Sequence, residues 1–179
     1  MDRIESLWRR CRAGDREALE ELVRRWERKL FYYVRRLLPQ EEDAWDVLQT
    51  TWVRVIGAIG KVRDPDALVP WIYQIARNAA LAHRKSFLAR ERWIDAEAAV
   101  DQLALGESID PCWSAEEVHR ALEKLSAHHR DALTLFFLET FSIEDMAGVL
   151  EVSEGTVKSR LFYARKALRE KLEKCRSYP

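Results

Sequence analysis

FSIEDMAGVLEVSEGTVKSRLFYARKALR, residues 141–169, decides how the rest of the chain is read. Ser142 precedes a short apolar-periodic run, Ile143, Met146, Ala147 and Leu150, with Asp145 placed to complete an approximate capping box. After Glu151 and Val152, Ser153 is a second N-cap residue. Behind it Val157, Leu161, Ala164, Leu168 and Leu172 recur every three or four positions, which at about 100° per residue makes one narrow stripe. Two helices joined by so short a turn form a helix-turn-helix. The stripe leaves Gly155, Thr156, Ser159, Tyr163 and Lys166 pointing away from the core, with Lys158, Arg160, Arg165 and Arg169 on the flanks. A short, polar N-terminal half suits base edges in a major groove, and basic flanks suit the phosphates on either side. Gly155 lets the free N–H groups of the helix N-terminus approach a phosphate. The alternative is an amphipathic helix with an ordinary solvated face; the clustered charge favours DNA.

The chain has 179 residues, with Lys+Arg 30 against Asp+Glu 30. That length allows one or two domains with a real core. Zero net charge argues against a uniformly basic nucleic-acid binder, so the distribution carries the signal. From Ser153 onward basic residues outnumber acidic ones, Glu154, Glu170 and Glu173 being the only carboxylates. From Glu91 to Glu117 the sign reverses, with Arg92 the only base among the acids. Cys11, Cys112 and Cys175 are scattered, odd in number and without a C-x-x-C pair, which predicts reduced thiols and neither a disulfide frame nor a zinc site. His119, His128 and His129 show no metal-ligand spacing. Neither a signal peptide nor a long apolar run stands out, so a soluble, cytoplasmic protein is expected.

Taken in order, the chain reads as nearly all helix. Asp15 caps a helix carrying Leu19, Leu22, Val23, Trp26, Leu30, Val34 and Leu37, stopped by Pro39. The next helix, near 42–59, buries Ala44, Val47, Leu48, Thr51, Trp52, Val55 and Ile59. It shows Asp43, Asp46, Gln49, Thr50 and Arg54 outward. Residues 60–66, GKVRDPD, are loop. A third helix begins at about Asp66 or Ala67, with Pro70 in its first turn. Its buried face is predicted as Leu68, Trp71, Ile72, Ile75, Ala79 and Ala82, and its open face as Tyr73, Gln74, Arg77, Leu81 and Arg84. His83 falls near the buried side, and Asn78 at its edge is either a packing hydrogen bond or a base contact. Residues from Leu88 to Ser114 lose periodicity and carry Gly106, Ser108, Pro111 and the acidic run, which predicts a flexible linker. Helices with Val118, Leu122 and Leu125, then Ala132, Leu133, Phe136 and Phe137, lead into the helix-turn-helix. No period-2 alternation is long enough for a strand. The expected fold is therefore all-α, two small helical domains joined by a flexible acidic linker.

Three blocks carry a resemblance: EEDAWDVLQTTWVRV (41–55), PWIYQIARNAALAHRK (70–85) and LSAHHRDALTLFFLETFSIEDMAGVLEVSEGTVKSRLFYARKALREKL (125–172). Together, in this order and spacing, they resemble the sigma factors of bacterial RNA polymerase, the sigma-70 family. The nearest likeness is its two-domain extracytoplasmic-function (ECF) group. The resemblance implies an N-terminal region 2-like domain over 1–90, a linker over 91–114 and a region 4-like domain over 115–179. It implies no catalysis and no cofactor. Its partners would be promoter DNA, core polymerase through the clamp of the largest subunit and the flap of the second-largest, and an anti-sigma factor where one exists. Asp43, Asp46, Gln49, Thr50 and Arg54 would then meet the clamp, although the residues alone also fit a solvated face. Arg63, Asp64, Tyr73, Gln74, Arg77, Asn78, Arg84 and Lys85 would read and melt the −10 element, where single strands need cations and an aromatic ring. Ser153, Gly155, Thr156, Lys158, Ser159, Arg160, Tyr163 and Arg165 would meet the −35 duplex. The acidic linker would act as an electrostatic mimic of nucleic acid, or simply as a solvated tether. The chain departs from the family where a turn glycine is replaced by Glu151 and where Ala82 replaces a frequent carboxylate. A stand-alone helix-turn-helix regulator binding an operator is the other reading, but it leaves the faces of the first domain unexplained.

Overall fold

The computed structural model describes residues 3–38, 40–88 and 115–176. These fall into two compact units, one drawn from residues 1–94 and one from 95–179. Among the described residues there is helix and turn but no strand. The predicted linker, 91–114, lies outside them.

The first unit begins with α1 (Arg3–Arg12), a helix the sequence reading does not anticipate. It buries Leu7, Trp8 and Cys11, a short apolar set among many charges. Burial pushes the Cys11 thiol up to about 11, so it stays protonated and serves as a small packing group. Gly14 takes φ 80 at the turn, a conformation that favours a residue without Cβ. Helix α2 (Arg16–Leu37) is capped by Asp15, whose carboxylate accepts from Ala18 N–H at 3.1 Å. The Arg10 guanidinium, followed by the Ala18 N–H, holds that carboxyl below its usual range. Helix α3 (Glu41–Ala58) ends in a 3-10 turn (Ile59–Lys61), and α4 (Leu68–Leu88) follows the predicted loop.

The core of this unit joins Leu22, Leu30, Tyr33 and Val34 of α2 to Ala44, Leu48, Thr51 and Val55 of α3 and to Leu68, Ile72 and Ala76 of α4. Thr51 satisfies its buried hydroxyl by donating to Val47 O at 2.7 Å. The buried stripe of α4 differs from expectation. It runs through Leu68, Ile72, Tyr73, Ala76, Arg77, Ala79 and Ala80. Trp71 and Ile75 are only half-buried and Ala82 is exposed. The helix is thus rotated by most of one residue step, about 100°, from the predicted face.

The second unit packs α5 (Ala115–Glu123), α6 (Ala127–Leu133), α7 (Ile143–Leu150) and α8 (Glu154–Arg176). Arg130 ties the end of α5 to α6 by donating to Leu122 O at 3.0 Å, Glu123 O at 2.9 Å and Leu125 O at 3.0 Å. Where continuous helix is predicted, residues Thr134–Leu138 form a π turn, closed by Glu139 N–H to Thr134 O at 3.2 Å. The extra residue per turn re-aims the chain. The core unites Leu133 and Leu135 with Met146, Val149 and Leu150 of α7 and Val157, Leu161, Ala164, Leu168 and Leu172 of α8. The predicted α8 stripe is buried at every position.

Candidate nucleic-acid and protein-docking interfaces

In the second unit both helix starts are built as the sequence indicates. Ser142 Oγ accepts from Asp145 N–H at 3.0 Å, and the Asp145 carboxylate accepts from Ser142 N–H at 3.2 Å and Ser142 Oγ at 2.6 Å. The capping box is complete. Between the helices Glu151 takes φ 57, ψ 43, the left-handed conformation, and Val152 N–H reaches back to Ala147 O at 3.2 Å. The turn thus keeps the shape a glycine would give, with a glutamate in it. Ser153 Oγ then accepts from Thr156 N–H at 3.2 Å and lies 2.9 Å from Thr156 Oγ1. That capping bond fixes the start of α8 and commits part of Ser153 and Thr156 to the helix itself.

Gly155, Lys158 and Lys166 are exposed, with Thr156, Ser159, Arg160 and Tyr163 half-buried around them. Lys158 is held 3.9 Å from Glu154, a loose exposed pair that a phosphate can displace. The Ser159 hydroxyl donates to Thr156 O at 3.0 Å, and Tyr163 stands edge-on to Phe162 at 5.4 Å. Arg165 departs from the predicted phosphate contact. Its guanidinium carbon lies 5.1 Å from the ring centroids of both Phe136 and Phe137, and burial lowers its pKa. It packs α8 onto the π turn.

In the first unit α3 shows Asp46, Gln49, Thr50 and Arg54 exposed, as predicted. Asp43 instead sits at the seam with α4, its Oδ1 3.6 Å from His83 Nε2. The sequence reading missed the apolar part of the same face. Val53 is 74% exposed, Ile56 45% and Trp45 44%, and Trp45 stacks on Phe31 of α2 at 4.2 Å. A signal was present: both Val53 and Ile56 fall off the buried stripe.

The predicted single-strand surface of α4 needs the largest correction. Tyr73 is 1% exposed and packs on Tyr33 of α2 at 5.1 Å, and Arg77 is 6% exposed. Neither presents a free side chain to DNA; both are turned into the core, where the Tyr73 ring fills the space beside Tyr33 of α2. Arg63 and Asp64 are exposed in the loop, where Asp64 Oδ1 accepts from Asp66 N–H at 3.0 Å. Gln74, Asn78 and Arg84 are half-buried, with burial lowering the pKa of Arg84. Lys85 lies in α4, but its side chain is outside the described residues. The face that opens outward is Trp71, Gln74, Asn78 and Leu81, none of them fully buried. No group of His, Cys, Asp and Glu among the described residues is arranged to hold a metal ion, and none of their helices is long and apolar enough to cross a membrane.

Residues 22–93 match sigma-70 region 2, and residues 115–168 match sigma-70 region 4. The RNA polymerase sigma-H factor of Pseudomonas aeruginosa is 31% identical over 180 residues, spanning 94% of this chain and 93% of that protein. The ECF RNA polymerase sigma-E factor of Escherichia coli strain K12 is 31% identical over 179 residues, spanning 92% and 91%. Among solved structures, the sigma factor RpoE in complex with the anti-sigma factor NepR from Bartonella quintana is similar, with a TM-score of 0.65, 25% identity and coverage of 86% of this chain and 96% of that one. CnrH in complex with the cytosolic domain of CnrY shares the fold, with a TM-score of 0.70 at 24% identity over 96% of this chain and 98% of that one. With its buried α8 stripe, capped turn and helical first unit matching both regions in order, the chain belongs to the sigma-70 family of RNA polymerase sigma factors, in the ECF group.

Proposed function

We propose that the protein joins core RNA polymerase in the bacterial cytoplasm and directs it to promoters, itself catalysing nothing. The region 4 unit reads −35 duplex and the region 2 unit reads and opens the −10 element. The observation that carries this reading is α8: a fully buried stripe on one side and, on the other, a capped, glycine-opened N-terminus flanked by exposed Lys158 and half-exposed Arg160. Gly155, Thr156, Ser159, Arg160 and Tyr163 are assigned to the groove, Lys158 to a phosphate wall. Arg160 is assigned to a base, its fork suiting a guanine edge.

Docking to the clamp is assigned to Asp46, Gln49, Thr50 and Arg54 with Val53 and Ile56. An acidic-polar rim beside exposed aliphatic residues is the usual make-up of a protein interface. Asp43 supports that face from the seam. On α4 the −10 strand is assigned to Trp71, Gln74 and Asn78 with Arg63 from the loop, in place of Tyr73 and Arg77. The complex of the similar sigma factor RpoE with the anti-sigma factor NepR supports an anti-sigma partner for this chain too.

The test is run-off transcription with purified core polymerase on the DNA upstream of the chain's own gene. The wild-type chain is expected to give a discrete start site. Asp46→Arg with Gln49→Arg is expected to abolish it by weakening core binding at least tenfold while circular dichroism stays unchanged. A wild-type chain that binds DNA but never core polymerase would support the operator-binding regulator instead.

A further inference from the structure

The second half of α2 carries a charge distribution that neither the polymerase-docking face nor the DNA helices absorb. Residues 24–36 hold Arg24, Arg25, Arg28, Lys29, Arg35 and Arg36 against one acid, Glu27. Nearer the N-terminus Arg12 lies 4.8 Å over the Trp8 ring, and three arginines have carboxylate partners: Arg9 lies 2.6 Å from Glu5, Arg10 2.8 Å from Asp15 and 3.4 Å from Glu21, and Arg16 3.1 Å from Glu20. Beyond Glu21 this stops. Arg24, Arg25, Arg28 and Lys29 are all exposed, and none forms an ion pair with a carboxylate among the described residues.

The spacing makes the arrangement costly. Arg24 and Arg28, and Arg25 and Lys29, are like-charge i, i+4 neighbours, which disfavour the helix they sit on. Arg24, Arg28 and Tyr32 follow one another along the side opposite the buried Leu22, Trp26, Leu30 and Tyr33. Arg28 lies 5.7 Å over the Tyr32 ring, which is 48% exposed. Cations in a row ending at an open ring are what a single nucleic-acid strand requires, phosphates on the charges and a base on the ring.

The sign of the neighbouring surface selects between occupants. Helix α3 opens with Glu41, Glu42, Asp43 and Asp46, so a polymerase surface complementary to it would repel the α2 face. Promoter DNA is the partner of opposite charge. The same half of α2 also lies against α4: Tyr33, next to Tyr32, packs on Tyr73 at 5.1 Å. The cationic stretch thus belongs to the part of α2 that supports the helix assigned to the −10 element.

We propose that the Arg24–Arg28–Tyr32 face of α2, with Arg25 and Lys29, is a further contact for single-stranded promoter DNA, distinct from the surfaces of α4 and α8. It rests on the sigma-factor reading above. The test uses holoenzyme reconstituted with Arg24→Gln, Arg28→Gln and Lys29→Gln combined, or with Tyr32→Ala. Glutamine keeps the helix propensity of the residues it replaces, and circular dichroism of the free proteins checks the fold. The probes are a promoter fragment with a pre-opened bubble and the same fragment as full duplex, titrated at several salt concentrations.

The triple variant is expected to bind core polymerase within about twofold of wild type, while its salt slope on the bubble falls by about two, from ~0.7 per single-strand phosphate. Tyr32→Ala is expected to weaken bubble binding about five- to a hundredfold with the slope unchanged, and Tyr32→Phe to restore it. Unchanged slope and affinity would make this a solvated face and overturn the proposal. A loss of core affinity would overturn it in favour of a polymerase contact, and an equal fall in slope on unopened duplex would overturn the single-strand assignment. The reading beneath it fails elsewhere, at holoenzyme formation by the wild-type chain, and would take this proposal with it.

Discussion

Helices α4 and α8 are both assigned to DNA, yet sequence pattern places one of them correctly and misplaces the other. In α8 the buried positions are Val157, Leu161, Ala164, Leu168 and Leu172, and nearly everything between them is charged or polar. The contrast leaves one possible face. In α4 the run WIYQIARNAALA offers apolar or small residues on every side. Periodicity then has no sharp minimum, and the choice falls to shape. The Tyr73 ring turns inward against Tyr33 of α2, Arg77 is buried on the same face, and Trp71 turns partly out. Polar character is a guide to exposure only where a neighbour offers no partner; beside Tyr33 a tyrosine is a core residue.

The widest expected gap between variants follows from that rotation. Tyr73→Ala should cost the first unit about 3–5 kcal/mol, the usual loss for a buried aromatic, and most of its cooperative unfolding with it. Trp71→Ala, half-exposed on the same helix, should cost well under half as much but lower open-complex formation on a fully matched promoter. Urea denaturation and promoter-opening assays on both variants check this. Equal destabilisation would restore the face predicted from sequence.

On α8 the expected effects are smaller and divide by position. Arg160→Ala should lose about 1–3 kcal/mol of discrimination at one or two −35 positions. Lys158→Ala should weaken all sequences alike and lower the salt slope by about one. Holoenzyme binding to matched and altered −35 duplexes at two salt concentrations separates these outcomes. If both variants change only general affinity, α8 does not read bases through Arg160.

What was legible in the chain tracks how local the cause is. Asp15, Ser142 and Ser153 act within one turn of themselves, and all three cap the helices they precede. The fold class follows from periodicity in elements with strong contrast. Missing from that reading were α1, whose apolar set Leu7, Trp8 and Cys11 is short and crowded by arginines, and the π turn at Thr134–Leu138. The exposed Val53 and Ile56 lie off the buried stripe, and periodicity, which assigns aliphatic residues to a core, gives those outside it no role. The flank position of Arg165 predicts a phosphate contact, but the rings it covers come from the π turn, which periodicity does not reveal.

Arg165 gives the next comparison, with Lys158. Removing its guanidinium from Phe136 and Phe137 should cost the second unit about 1 kcal/mol, typical of a partly desolvated cation over aromatic faces. The salt slope of −35 binding should stay at the wild-type value. Arg165→Ala is read by denaturation and by the same duplex titrations. A slope lowered by about one, as for Lys158→Ala, would return Arg165 to the DNA.

The smallest expected effect concerns the turns of the two units. The first unit places a glycine, Gly14, at φ 80, whereas the second holds Glu151 at φ 57 and Thr140 at φ 56. A left-handed conformation costs a residue with Cβ about 1 kcal/mol, and Glu151→Gly removes that cost. Part of the gain is returned because glycine is freer in the unfolded chain. The net should be a stabilisation of about 0.5 kcal/mol, or a rise of roughly 2–4 °C in Tm for a unit of this size. Glu151→Ala separates the backbone from the charge: it keeps the strain and loses the carboxylate, so it should be no more stable than wild type. Differential scanning calorimetry on all three proteins reads the differences. The bonds from Glu151 and Val152 N–H to Ala147 O are backbone bonds that both substitutions retain, so −35 discrimination should be unchanged. If Glu151→Gly is no more stable than wild type, or Glu151→Ala gains as much, then φ at this turn is not what the glutamate costs.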